Sequence, residues 1–333
     1  MEVLEIGKNE AGQRLDKYLK KYMNQAPGSF LYRMLRKKNI LLNGKRAAGS
    51  EKLSVGDQVT LYLSGETIAK FRDGQRERKL PSGRAPYAVI YEDENIMLLD
   101  KPAGLLSQKA SPEDVSLVEY LTADLLRRGE ISDGQLSSFH PSVCNRLDRN
   151  TSGLVLAGKT LKGLQDLSQA LKERTVDKYY LALVRGNITG AAEQTAYLRK
   201  EAGSNQVAVL PAPAPSASLI RTAWEPLWSD GGCTLLRVKL ITGKTHQIRS
   251  HLAGIGHPLA GDPKYGDPVW NRQLKEACGL NRQFLHAWQV TFARAEGCLA
   301  PLNGRTMTAP LPKDLAAVLK KKHGPGNPGD LVG

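Results

Sequence analysis

Beyond residue 86 the apolar residues of this chain fall in short runs, and several of those runs follow one another with no helical period between them. That feature argues against a regular strand–helix alternation and for an α+β fold with a mixed, largely antiparallel sheet. Val89-Ile90-Tyr91 and Ile96-Met97-Leu98-Leu99 flank the acidic turn Glu92-Asp93-Glu94-Asn95. Leu154-Val155-Leu156 reads as a short buried strand, Tyr179 to Val184 as a second and Trp288 to Phe292 as a third. Trp224 to Leu240 forms a hairpin closing on Ser229-Asp230-Gly231-Gly232. Helices interrupt this pattern at two places. Leu161, Leu164, Leu167 and Leu171 share one helical face, and Thr245 is placed to cap a helix running to about Ile255 and stopped by Gly256. Segment 203–217, rich in Ala, Pro and Ser, reads as a surface insertion, and the stretch 320–333 as a flexible tail.

The first 64 residues follow a different pattern. Leu15, Tyr18, Leu19 and Tyr22 stand at helical spacing and predict an amphipathic helix broken by Pro27-Gly28. A second helix, capped by Ser29, places Phe30, Leu31, Met34 and Leu35 inside and Arg33, Arg36, Lys37 and Lys38 outside. Ile40-Leu41-Leu42 then meets Asn43-Gly44, a two-residue hairpin signal, with Lys45 directly after it. Gly56-Asp57 is a further turn, followed by the alternating strand Val59, Leu61, Leu63. Residues 65–86 are polar, basic and turn-rich, with Arg72, Arg76, Arg78, Lys79 and Arg84, and read as a basic linker. The expected units are therefore 1–64, the linker 65–86, a large domain 87–319 and the tail 320–333.

Charge narrows the partner. The chain carries a net charge of +14, which favours polyanions. Residues 1–86 hold 18 Lys+Arg against 9 Asp+Glu, and the other 247 hold 29 against 24. Most of the excess thus lies in the first quarter, as a separate nucleic-acid-binding module would require. An anionic membrane is the second candidate, but the longest apolar stretches are only a few residues and fall far short of a span. The opening Met1 to Glu5 lacks the order of a signal peptide, so the cytoplasm is the expected location. Cys144, Cys233, Cys278 and Cys298 are scattered with no CxxC, which argues against a disulfide framework or a thiolate zinc site.

Three segments could carry chemistry. Gly153 to Thr160 matches the phosphate-binding pattern GxxxxGKT letter for letter. Its context is inverted: polar residues precede Gly153, and the apolar run Leu154-Val155-Leu156 fills the place where amides should meet phosphate. The preceding run, Asn145-Arg146-Leu147-Asp148-Arg149-Asn150-Thr151-Ser152-Gly153, brackets one carboxylate with two guanidinium groups. Taken alone it is as well read as a solvated ion pair at a turn. The third segment, Thr242 to His251, contains His246, Arg249 and His251. The two histidines are five apart, do not share a helical face, and lack carboxylate or thiolate ligands at suitable spacing. No GxSxG elbow is present.

Taken together, these blocks resemble the RluA family of pseudouridine synthases, and within it the RluC type that acts on large-subunit ribosomal RNA. The resemblance spans about residues 87–315. It rests on Asp100-Lys101-Pro102-Ala103-Gly104, Arg146 to Gly153, Lys178-Tyr179-Tyr180-Leu181-Ala182, Gly243 to Arg249, Gly261 to Gly266 and Asn281 to Ala287, in that order. Asn145 and Asn150 depart from it, standing where many members have His and a second Asp. Residues 12–64 in turn resemble an S4-type RNA-binding domain, through Arg14-Leu15-Asp16, the basic second helix, Leu42-Asn43-Gly44-Lys45 and Leu53 to Asp57.

The resemblance implies a catalytic domain of the pseudouridine synthase type behind a small S4-like α/β domain. It makes Asp148 the catalytic nucleophile, either attacking C1′ of a flipped-out uridine or assisting a glycal intermediate. Tyr180 is implied to stack on the base and Arg249 to pair with Asp148. Arg146 or Arg149 takes RNA phosphate or fills the hole left by the base, Ile248 and Leu285 wall the pocket, and Lys101-Pro102 forms a rigid supporting loop. Arg33, Arg36, Lys37, Lys38 and Lys45 are the expected RNA-binding face. The implied partner is RNA of the 23S ribosomal type, with a monomeric protein and no membrane. Because the reaction is redox-neutral and loses nothing, no cofactor or metal is demanded. The competing reading is a non-catalytic RNA-binding or ribosome-assembly factor, which needs the same charge but not Asp148.

Overall fold

A computed structural model describes residues 1–7, 9–72, 80–132, 135–137, 139–201 and 206–323. Its N-terminal part is a small α/β unit: β1 (Glu2–Glu5), α1 (Leu15–Tyr22), α2 (Gly28–Arg36), β2 (Ile40–Leu42), β3 (Lys45–Arg46), β4 (Gln58–Leu61) and α3 (Gly65–Phe71). The four strands pair in the order β1-β4-β2-β3, all antiparallel. Asn43 and Gly44 both take positive φ, 51° and 71°, the geometry that the two-residue turn between β2 and β3 needs. Leu15, Leu19, Leu35, Ile40, Val59 and Leu61 fill the core under the helices.

Two details of this unit correct the sequence pattern. α2 starts at Gly28, with Pro27 in the capping position and no side-chain cap, so Ser29 is not its cap. Residues 65–71 are not linker. Ser64 accepts a hydrogen bond from the Thr67 amide and starts α3, whose Ile68 joins the core while Phe71 packs on Phe30 with ring centroids 4.5 Å apart. Arg72 lies over the Tyr22 ring, and Arg84 is exposed. Arg76, Arg78 and Lys79 lie outside the described residues.

The larger part contains β5 (Ala88–Glu92), β6 (Ile96–Lys101), α4 (Leu117–Arg127), β7 (Ser142–Val143), β8 (Ser152–Gly158), α5 (Leu161–Glu173), β9 (Val176–Arg185), β10 (Ala192–Lys200) and β11 (Val207–Leu210). It continues with β12 (Ser218–Ser229), β13 (Cys233–Leu240), α6 (Gln247–Gly254), α7 (Pro268–Cys278), β14 (Leu285–Phe292), β15 (Thr306–Thr308) and α8 (Lys313–His323). Nine strands run in the order β11-β10-β12-β13-β9-β14-β8-β6-β5, with β15 added on β14 and β7 on β8. Among the described residues every pairing between these strands is antiparallel except β14 with β8. This is the expected α+β class with a mixed, largely antiparallel sheet.

Both faces of the sheet are covered near its middle, which explains the continuous apolar reading of β8. On one side Met97, Leu99, Val155, Tyr180, Ala182, Val238 and Leu285 pack with α4 and α6. On the other Ile96, Leu98, Leu154, Leu156 and Phe292 pack with Leu167 of α5. Gly153 to Gly158 of the GxxxxGKT run thus lie in a fully buried strand, Thr160 caps α5, and Lys159 is committed to Glu92, Glu130 and the Asp93 carbonyl. The expected surface insertion 203–217 is corrected in part. Val207–Leu210 form the edge strand β11, and residues 202–205 lie outside the described residues. The tail also begins later than expected, since α8 runs to His323.

Gly153 sits where β8 and β14 meet in parallel, opposite Ala287. Its φ is +109°, and a Cβ there would collide with the Ala287 carbonyl. Gly153→Ala is expected to destabilise the protein by about 2–4 kcal/mol in urea unfolding, through positive φ and backbone overlap together. A change under about 0.5 kcal/mol would contradict this account of the junction.

Candidate active site

The junction of β8 and β14 fixes the turn that precedes β8, and Asp148 lies in that turn. Three successive hydrogen bonds bind the turn to the segment around the start of β14. Arg282 donates to the Asn150 carbonyl at 3.1 Å, Gln283 to Thr151 Oγ1 at 3.2 Å, and Ser152 Oγ lies 3.0 Å from His286 Nδ1. Arg282 is itself held by both carboxylate oxygens of Asp314 on α8. On the opposite side, Ser107 Oγ and the Leu147 backbone lie 3.0 Å apart, and the Gly104 amide donates to the Arg149 carbonyl at 2.8 Å. Lys101 is fully buried, and its ammonium donates to the carbonyls of Pro102, Leu105 and Arg149 at 2.9, 2.8 and 3.2 Å. Burial, and then the charge of Arg282, draw that ammonium down to about 7. Asn145 is structural here: its side-chain oxygen accepts from the Leu156 amide at 2.7 Å.

Asp148 is paired from α6. Arg249 Nη1 donates to Asp148 Oδ2 at 2.8 Å, while Nε and Nη2 donate to the two oxygens of Asp262 at 2.7 and 2.8 Å. The Asp262 side chain is fully buried, that of Arg249 is 5% exposed and that of Asp148 is 24% exposed. The gradient matters: Asp262 and Arg249 are sealed, and only Asp148 is open. Burial works against the Arg249 charge, but the hydrogen bonds and charges of Asp262 and Asp148 outweigh it and hold the guanidinium above its ordinary value. Burial would likewise raise the Asp262 carboxyl. Arg249 and the backbone amides of Lys264 and Tyr265 overcome that and hold it below the usual range.

Tyr180 is 5% exposed and stands on β9, paired with Val238 and Ala287. Burial, and then the Asp148 charge, push its phenol upward, so it is neutral. Asp148, Tyr180, Arg249, Ile248, Leu285 and Arg146 all line one cavity. The structure thus brings together six of the seven expected residues of the site. Arg149 is the exception: its Nε donates to the Gly104 carbonyl at 3.1 Å, and it lines the broader trough outside. Arg33, Arg36, Lys37, Lys38 and Lys45 are exposed on the N-terminal unit.

Two residues around the site carry roles that the sequence pattern does not assign. The clearest is Asp262, whose signal is a lone acidic residue shortly after the apolar run Leu259-Ala260. His246 is the other, weighed in the sequence only as a metal ligand: it takes a left-handed conformation, φ 53°, in the capping position of α6, where the sequence pattern predicts Thr245. Its Nδ1 lies 3.0 Å from Tyr265 Oη. Burial lowers its pKa. His251 bonds Thr222 and His257 the Arg185 carbonyl, so each of these three histidines has its own partner.

Comparison with known proteins shows the family. The signature of the family described as RNA pseudouridylate synthase matches residues 95–254. The ribosomal large subunit pseudouridine synthase C of Haemophilus influenzae is 33% identical over 326 residues, covering 96% of this chain and 95% of its own. Its counterpart in Escherichia coli K12 is 34% identical over 334 residues, covering 96% of each. The chain belongs to the RNA pseudouridylate synthase family. The solved human RNA Pseudouridylate Synthase Domain Containing 4 shares the fold, with a TM-score of 0.56 at 20% identity over 71% of this synthase and 93% of that chain.

Two outcomes follow for this synthase. Asp262→Asn removes the anion that locks Arg249, so stability should fall by about 3–5 kcal/mol in chemical denaturation, the usual result of breaking a buried pair. An unchanged midpoint would contradict the clamp. His286 is fully buried between Ser152 and the Ala309 carbonyl, and burial draws its pKa down to about 4. A depressed value means that the unfolded chain binds the proton first. Its contribution is therefore complete above about 6.5 and lost as pH falls towards 4, roughly 3 kcal/mol in all. In stability measured against pH, His286→Asn should flatten that part of the curve, whereas a slope equal to wild type would refute it.

Proposed function

We propose that this synthase converts uridine to pseudouridine in large-subunit ribosomal RNA, with Asp148 acting at C1′ of a nucleotide turned out of its stack. The observation that carries the reading is the half-open Asp148 carboxylate, held at 2.8 Å by an arginine whose Nε and Nη2 donate to a sealed second carboxylate. Arg249 therefore cannot swing away with substrate, and it keeps one carboxylate oxygen aimed across the cavity. The reaction breaks the N1–C1′ bond, turns the uracil and joins C5 to C1′. The C5 hydrogen leaves, and N1 gains a proton. Asp148 handles C1′, by direct attack or by assisting a glycal intermediate. Tyr180, neutral and aromatic, supports the detached base against Ile248 and Leu285, whose apolar surface excludes water. Arg146, exposed at the mouth, takes the place of the extruded base or a flanking phosphate.

The substrate class rests on the printed names of the two bacterial relatives and on the excess positive charge. The N-terminal unit, with Arg33, Arg36, Lys37, Lys38 and Lys45 on its surface, supplies phosphate contacts in the manner of an S4-like domain. Among the described residues no helix is long and apolar enough to cross a membrane. A monomer working in the cytoplasm fits this reading.

Large-subunit ribosomal RNA carrying tritium at uridine C5 tests it. Wild-type protein should release label to water without ATP or metal. Asp148→Asn should lower the rate at least about 1,000-fold, the scale seen when a group that acts directly on the reacting atoms is removed. RNA affinity should stay near that of wild type. Tritium release by the variant would exclude Asp148, and no release by wild type would favour the non-catalytic RNA-binding reading. Replacing Arg33, Arg36, Lys37 and Lys38 with Ala should weaken RNA binding and flatten its dependence on salt by roughly 0.7–0.9 for each phosphate no longer neutralised. Unchanged binding would remove the role given to the N-terminal face.

A further inference from the structure

The trough that leads to Asp148 contains a lysine that the mechanism above does not use. Lys178 stands two residues before Tyr180 on β9, and the pleat puts both on the same face of the strand. Both line the trough, together with Arg146, Lys172 and Lys244, and Asp148 is the one carboxylate among its lining residues. Lys178 is only partly exposed, and among the described residues its ammonium makes no hydrogen bond or ion pair.

The surroundings do not supply the missing anion. A second hollow beside Lys178 is lined by Asp177 and Glu193. Asp177 is on the other face of β9 and is engaged by Lys239 at 2.7 Å. Glu193 is engaged by Arg221. Burial and the neighbouring Arg174 press on the Lys178 charge, and only Asp177 supports it. A partly desolvated cation without a partner costs stability, so it marks a place where an anion arrives with the ligand. The anion that an RNA strand offers at every step is its backbone phosphate.

We propose that Lys178 is a positioning residue that grips an RNA backbone phosphate beside the target uridine and so holds the strand at the mouth of the cavity. This rests on the reading that RNA reaches Asp148 through the trough. Lys178 touches no reacting atom. It acts through the strand it holds, next to the tyrosine that meets the base.

The test uses full-length protein and transcribed large-subunit ribosomal RNA, with wild type, Lys178→Met and Lys178→Arg. Lys178→Met should raise KM and weaken filter-measured binding by roughly tenfold, the worth of one charge-assisted hydrogen bond. The slope of log affinity against log salt should become shallower by about 0.7–0.9. The turnover number at saturating RNA should stay within about twofold, and Lys178→Arg should restore KM and slope. The melting temperature of Lys178→Met should not fall, because an unpartnered cation has been removed from a partly buried site. Binding and salt slope equal to wild type in Lys178→Met would overturn the proposal. So would a lower melting temperature with unchanged binding, which would make Lys178 structural, or a lost turnover number with unchanged KM. If wild type released no tritium, the catalytic reading would fail, while the binding arm would still decide the role of Lys178.

Discussion

Everything at this site depends on Arg249 being held from behind. A guanidinium alone beside Asp148 would be a flexible ion pair, worth little and free to follow a passing phosphate. Asp262 changes that. It is sealed from water, accepts two hydrogen bonds from Arg249 and two more from the backbone after it, and so turns the arginine into a fixed part of the wall. The planar fork suits this role: one edge meets Asp262 and the remaining nitrogen meets Asp148, which a lysine could not do. The result is one open carboxylate in a site that must attract a polyanion without losing its own orientation.

The rest of the fold serves the same constraint from the other direction. Asp148 sits in a turn rather than a strand, and turns move. Here the turn is bounded by the only parallel strand pairing among the described residues, by three hydrogen bonds from residues 282–286, and by a buried lysine that donates to three carbonyls. The parallel approach is close enough to require glycine at 153. Rigid elements on both sides thus bring the precision of a sheet to a loop residue.

Much of this was legible in the residues. The run Leu154-Val155-Leu156 was readable as a short buried strand, and the inverted context of Gly153 to Thr160 was enough to read a strand where a phosphate loop was spelled. Asp148, Tyr180 and Arg249 came from ordered motifs and not from periodicity, since 101 residues separate Asp148 from Arg249 and no local pattern reports such a pairing. Asp262 escaped for the same reason: its meaning lies in burial, which a single acidic letter does not display. α4 carried a usable signal in the capping box Ser116 to Glu119, as did α7 in Asp267-Pro268 at its start and Gly279 at its end. Neither stands out beside the strand runs around it. The edge strand β11 was hidden because its four apolar residues, Val207–Leu210, lie in a segment whose Ala, Pro and Ser content reads as surface loop, and only the pairing with β10 reveals it.

The most direct measurement is a crystal structure of the Asp148→Asn protein bound to substrate RNA. The account predicts one nucleoside turned into the cavity, its C1′ about 3–3.5 Å from the side chain at 148, its base against Tyr180, and Arg249 still locked on Asp262. A bound RNA whose target sugar lies far from residue 148, or an Arg249 that leaves Asp262 to follow a phosphate, would contradict it.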